Sequence, residues 1–250
     1  MVFAEVEKLR QWLTVNELQV VLFDLDDTLL ATHRIFDEKI NTLITWAATE
    51  LPEYSFENLL RMFREINEQA FVTHAVNPNR WELVTTLLGE KCGGKAKDVF
   101  HDGLEVLMEI YRVVPPILPG ALEVLSLFER TGVSMGLVTH ANQDWTDFKL
   151  DNTGLRPFFE NILVVDENRH KSSQDWVHAA KLFRSRSDQG MVVGDNLRGD
   201  VIAATEAGFR KVVWIDEKDN WSVYRQGNIP EGVIVVPEIA MLTQALLGMK

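Results

Sequence analysis

A single cysteine, Cys92, among 250 residues excludes an intramolecular disulfide and a multi-cysteine zinc site. It lies in Lys91-Cys92-Gly93-Gly94, which reads as an exposed turn with no evident base to activate a thiol. Basic residues are also scarce, with 25 Lys and Arg against 37 Asp and Glu and a net charge of -12. That balance argues against a clamp on a nucleic-acid backbone, which needs clustered positive charge. It also means that any anionic ligand requires a local positive site built from metal, lysine and backbone amides. No apolar run reaches the length of about 18 residues needed to span a bilayer. Glu5, Glu7, Lys8 and Arg10 interrupt the start of the chain, so it lacks the apolar stretch of a signal peptide. A cytoplasmic location is the expectation. No internal repeat or low-complexity tract stands out.

What the chain does have is 46% apolar residues, arranged with two periodicities. At this length it can bury a sizeable core in one or two domains. Val2, Val6, Leu9 and Leu13 recur at helical spacing and predict a leading helix over residues 2–13. Apolar runs predict strands at 19–23, 134–139, 162–165, 191–194, 212–215 and 233–236. Several are continuously apolar, as strands covered on both faces are. Helical patterns at 121–130, 174–184 and 198–207 separate most of them, and Gly208 suits a helix C-terminus. The alternation predicts an α/β sandwich around a parallel sheet.

Residues 24–133 separate the first two strands, far more than one crossover helix needs. Helical faces recur there as Phe36, Ile40, Leu43 and Ala47, then Leu59, Phe63, Ile66 and Ala70, then Phe100, Leu104, Leu107, Tyr111 and Val114. The reading is an inserted helical domain over 32–115, with 1–31 and 116–250 forming the α/β core. Pro115, Pro116 and Pro119 mark its exit.

Four polar pieces fall where strands end. The first is Asp24-Leu25-Asp26-Asp27-Thr28, directly after an apolar strand. Acids there cost desolvation unless a cation or ligand compensates. The second is Gly136-Leu137-Val138-Thr139-His140, a strand ending in a hydroxyl. The third is Lys171, in a polar loop; Arg169, His170, Lys181 and Arg184 are rival cations nearby. The fourth is Gly194-Asp195 leading to Asp200, where either acid could instead cap the following helix. In a parallel sheet all four meet at one edge, where open α/β sheets carry their reactive groups.

Taken in order, these pieces resemble the haloacid dehalogenase superfamily. Its motifs are Asp-x-Asp-x-Thr, a strand-terminal Ser or Thr, a Lys, and Gly-Asp-x-x-x-x-Asp. The resemblance implies a Rossmann-like three-layer sandwich core with an inserted all-helical cap of the C1 type. It implies a magnesium-dependent phosphatase that hydrolyses a small phosphorylated metabolite, a phosphomonoester, through an aspartyl-phosphate. Asp24 would be the nucleophile, and Asp26 the acid that protonates the leaving alcohol and then takes a proton from water. Asp24 and Asp195, with the backbone carbonyl of Asp26, would hold Mg²⁺. Thr139 would donate to a phosphoryl oxygen and Lys171 would neutralise developing charge. Asp200 would orient Lys171 or metal-bound water, and Thr28 would fix the loop behind Asp26. Asp27 reads as a turn residue.

Two departures from the family pattern stand out. His140 follows Thr139 where relatives carry Asn or a small polar residue; it could touch the substrate phosphate or cap a helix beginning near Gln143. Lys171 precedes Ser172-Ser173 where many relatives have a proline turn. The acid at Asp26 fits a phosphatase or phosphomutase better than a dehalogenase. A phosphomutase or phosphotransferase on the same scaffold, and a phosphate-binding regulatory module without turnover, stay open. Substrate choice would come from the cap, where His33, Arg34, Asn77, Asn79, Arg80 and Trp81 are the polar and aromatic candidates, with Arg80 singled out for substrate contact. The expected partner is a small phosphate ester, with no nucleic acid and no membrane, bound by a monomer or homodimer.

Overall fold

The computed structural model describes residues 2–217 and 221–248. The chain opens with α1 (Val2–Val15) and β1 (Val20–Phe23). Four helices follow: α2 (Thr32–Glu50), α3 (Phe56–His74), α4 (Arg80–Cys92) and α5 (Ala96–Met108). The alternating part resumes with α6 (Ala121–Thr131), β2 (Ser134–His140), α7 (Gln143–Thr153), β3 (Asn161–Val165) and α8 (Ser173–Leu182). It closes with β4 (Gly190–Gly194), α9 (Ala203–Glu206), β5 (Lys211–Ile215), β6 (Ile234–Val236) and α10 (Leu242–Leu246). Each predicted strand exists within about two residues of its expected ends, the usual boundary uncertainty.

The six strands form one parallel sheet in the order β3-β2-β1-β4-β5-β6. Side chains alternate across it, so each buried strand feeds two cores. Val21 and Phe23 join Met135, Leu137, Met191 and Val193 on one face, under Leu9 and Leu13 of α1, Phe128 of α6 and Leu242 of α10. Val20 and Leu22 join Val138, Val192 and Val212 on the other, under Trp176 and Ala180 of α8 and Ala203 and Ala204. This is why the strands read as unbroken apolar runs. Each such side chain, fully buried, contributes about 1.5–3 kcal/mol. The leading helix buries Val6, Leu9 and Leu13; the side chain of Val2 lies outside the described residues.

The helices α2 to α5 build a third apolar cluster, with Leu43, Leu59, Phe63, Trp81, Leu88, Phe100 and Leu107 at its centre. Trp145 of α7 joins it, so the insert packs on the helix that follows β2. Cys92 is the last residue of α4 and is half-buried, not part of an exposed turn, because the helix runs on to the left-handed Gly93. Among the described residues no helix is long and apolar enough to cross a membrane.

The segment after β4 also departs from the sequence reading. A plain helix was expected over 198–207, but residues Leu197–Ile202 form a π-turn before α9. Asn196 carries its start: the side chain accepts from the Arg198 and Gly199 amides. Trp176 Nε1 donates to the Gly199 carbonyl at 2.8 Å, which holds the widened turn against α8. Gly208 takes φ +90 at the end of α9, as its position predicted.

Candidate active site at the carboxyl edge of the sheet

The strand order reverses about β1, which has β2 on one side and β4 on the other. Crevices at such switch points bind ligands. Asp24 stands one residue past β1 and its N–H still donates to Val193, 2.9 Å away. Asp195 stands one residue past β4, and Thr139 and His140 end β2. The three strands therefore deliver three of the four sequence pieces to one place.

Lys171 is the fourth. Its Nζ lies 2.6 Å from Asp24 Oδ1, 2.6 Å from Asp200 Oδ1 and 2.9 Å from the Val138 carbonyl. An ammonium has three protons, and all three are engaged. Burial alone would push this lysine down, but Asp200 and Asp24 together hold it above its ordinary value. Of the rivals, Arg169 forks onto Asp175, and His170 packs edge-on against Phe71. Ser172 and Asp175 form a capping box that starts α8 directly after Lys171.

Asp24, Asp195 and Asp200 are all buried, and each offers an oxygen within 4.8 Å of the others. Burial, then the charge of Asp200, raises Asp24 to about 8 even though Lys171 lowers it. Three carboxylates around one lysine leave surplus buried negative charge, and oxygen donors suit a hard divalent cation. Asp200 reaches this cluster with both oxygens occupied, Oδ1 by Lys171 and Oδ2 by the Asn196 amide at 3.0 Å. A Cβ on Gly194 would stand 2.4 Å from Asp200 Oδ2, so only glycine lets this carboxylate lie against the strand end. Neither Asp195 nor Asp200 caps the following helix; Asn196 does.

Asp26 is held by a second set of partners. Its side chain accepts from Thr32 Oγ1 at 2.6 Å and from Lys149 Nζ at 2.5 and 2.7 Å. Lys149 is fully buried and lies 4.0 Å from the Trp145 ring centroid. The sequence reading missed Lys149. Its signal was position: in α7 it sits four residues after Trp145 and beside Leu150, on the buried stripe.

The buried Thr28 hydroxyl donates to Asp195 Oδ1 at 3.4 Å, tying the loop after β1 to the end of β4. Asp27 turns the chain with φ +58 and receives the His33 amide and ring Nδ1, each at 2.8 Å. Burial raises Asp27, while its hydrogen bond raises His33.

Thr139 Oγ1 and His140 Nε2 are buried with no hydrogen-bond partner among the described residues. Each orphaned group costs about 1–3 kcal/mol unless a ligand meets it. His140 does not cap α7; Asn142 accepts from the Trp145 amide instead. Burial, reinforced by Lys171 and His170, pushes the His140 imidazole down to about 3, so it is neutral near pH 7.

A cavity of about 380 Å³ opens over this edge and reaches into the helical insert. Asp26, Thr32, His33 and His140 line one end; Phe63, Asn67, Arg80 and Tyr111 line the other, with Trp221 and Tyr224. Arg80 is buried here, stacked on Trp81, which fills the core of the insert. Arg34 is exposed, and Asn77 and Asn79 shape the turn before α4.

A sequence model described as haloacid dehalogenase-like hydrolase matches residues 18–208. The chain is similar to a glyceraldehyde 3-phosphate phosphatase of Methanopyrus kandleri, with 24% identity over 76% of this chain and 81% of that one. It is also 24% identical to the pyrophosphatase PpaX of Bacillus velezensis, over 81% of this chain and 86% of that one. Among solved structures, a haloacid dehalogenase-like family hydrolase from Xanthomonas campestris superposes with a TM-score of 0.71 at 16% identity, covering 93% of this chain and 96% of that one.

Proposed function

The chain belongs to the haloacid dehalogenase-like hydrolases, and from that premise we propose that it is a magnesium-dependent phosphatase of small phosphomonoesters. One observation carries the reading. Lys171 bridges Asp24 and Asp200 beside Asp195, while the Thr139 hydroxyl has no partner among the described residues. Such a site is short of one cation and one anionic acceptor, which a metal and a phosphoryl group together provide. The two phosphatases at 24% identity support the same class.

In this reading Asp24 attacks phosphorus, and the ester oxygen leaves with a proton from Asp26. Water then attacks the aspartyl-phosphate, giving its proton back to Asp26. Thr139 donates to a phosphoryl oxygen, and neutral His140 meets another polar atom of the ester. Lys171 holds Asp24 in place and balances charge. Asp200 fixes Lys171. Mg²⁺ held by Asp24, Asp195 and the Asp26 carbonyl would neutralise the phosphate and let an anionic nucleophile approach it. Lys149 and Thr32 act as positioning residues that fix the rotamer of Asp26. The helical insert, residues 32–115, is the cap that carries substrate choice and excludes water.

The test is hydrolysis of an aryl phosphate with Mg²⁺, with EDTA, and with Asp24→Asn. The expected result is loss of turnover by about 10⁴-fold or more in the variant. Activity that survives both EDTA and the variant rejects the mechanism.

A further inference from the structure

The insert end of the cavity holds a charge that the proposed reaction does not use. Arg80 is only 3% exposed, yet among the described residues it forms no ion pair, and the phenols of Tyr111 and Tyr224 lie near it. One of its nitrogens donates to the Ala75 carbonyl, and Nε has no partner among the described residues. The guanidinium lies 4.5 Å from the Trp81 centroid, 5.5 Å from Phe71 and 5.8 Å from Trp221. Stacking of this kind offsets only part of the desolvation cost of a buried cation. Asn67, on the same cavity wall, also has a buried oxygen without a partner. A half-turn of its amide presents the NH₂ group instead. Of the charged neighbours on this wall, Arg64 and Asp37 are exposed and Glu68 is half-buried, so none compensates Arg80.

We propose that the Arg80 end of the cavity binds a second anionic group of the substrate, a carboxylate or a second phosphate, while the first phosphate sits at Asp24. The inference rests on the phosphatase reading for the first group and adds the substrate class: a compact molecule with anions at both ends. The guanidinium fork pairs with either anion through two parallel N–H donors, and the aromatic walls keep water from screening it. The cavity, at about 380 Å³, sits at the small end of ligand pockets.

The test uses phosphonates, which cannot be hydrolysed. Alkylphosphonates, ω-carboxyalkylphosphonates and α,ω-bisphosphonates of matched chain lengths are titrated with Mg²⁺ present. Fluorescence of Trp81 and Trp221 and calorimetry report binding. At its best chain length a doubly anionic ligand is expected to bind at least about 10-fold tighter than the matched alkylphosphonate. The preference should collapse to within about 2-fold in Arg80→Gln and survive in part in Arg80→Lys, which keeps the charge without the fork. The carboxylate and bisphosphonate arms separate the two sources of the anion. Equal affinities in the native protein, or a preference that survives Arg80→Gln, overturn the proposal. If Arg80→Gln does not fold, the native comparison and Arg80→Lys decide. A retained preference without hydrolysis of the matching esters removes the phosphatase reading and leaves the subsite. Hydrolysis of esters indifferent to the second charge does the reverse.

Discussion

The carboxylate cluster at the sheet edge and the Arg80 site in the insert treat buried charge in opposite ways. At the sheet edge, buried carboxylates outnumber the one lysine between them, and that lysine has every proton engaged. In the insert, a single guanidinium is buried against aromatic rings and, among the described residues, pairs with no carboxylate. One end is short of positive charge and the other of negative charge. In the proposed reading a phosphate ester bound with its metal would supply the first, and a second anion the other. The same reading would separate chemistry from selection: strand ends would hold the reacting groups, and helices of the insert the group that discriminates.

Substitutions at the sheet edge should therefore act on turnover, and those in the insert on choice of ligand. The largest effect belongs to Asp24→Asn, for the reason already given. Asp26→Asn comes next, with kcat falling by about 10²–10⁴-fold in steady-state assays while the affinity for a phosphonate changes little. Lys149→Met sharpens the account further. If Lys149 only orients Asp26, kcat falls by about 10- to 100-fold with KM nearly unchanged, and Lys149→Arg recovers part of it. A variant that lowers melting temperature without this kcat and KM split would make Lys149 merely structural. The smallest effect concerns pH. The folded state holds His140 down to about 3, whereas the unfolded chain takes up a proton below about 6.5. Stability is then fully present above that range and is lost as pH falls through it, by about 1 kcal/mol near pH 5.5. Denaturant titrations of His140→Gln should show a flatter pH dependence over that window.

The sheet edge was the legible end. Its residues are strand-terminal, and strands announce themselves as apolar runs, so Asp24, Thr139 and Asp195 could be placed without coordinates. Lys171 was legible only as one of several cations, because a loop has no period to point a side chain. Lys149 was hidden for a different reason. A lysine in a helix reads as solvated, and only contact with Asp26, distant in sequence, makes burial tolerable. The π-turn after Asn196 was likewise unreadable, since it depends on Trp176 reaching the Gly199 carbonyl from another helix. In the insert, the apolar faces of α2, α3 and α5 were readable from their spacing. Asn67 was not, although it lies on the same buried face of α3 as Phe63 and Ile66. Arg80 could be named as a candidate contact, but its burial among Phe71, Trp81 and Trp221 needs three separate segments to meet.

The central claim is that Asp24 becomes covalently phosphorylated within this cluster. Acid quenching of Asp26→Asn during turnover of an aryl phosphate with Mg²⁺, followed by peptide mass spectrometry, tests it most directly. The account predicts the mass of one phosphoryl group on the peptide that carries Asp24, absent when EDTA is present. A phosphoryl group on any other residue, or sustained turnover by a chain with Asp24→Asn, would contradict it.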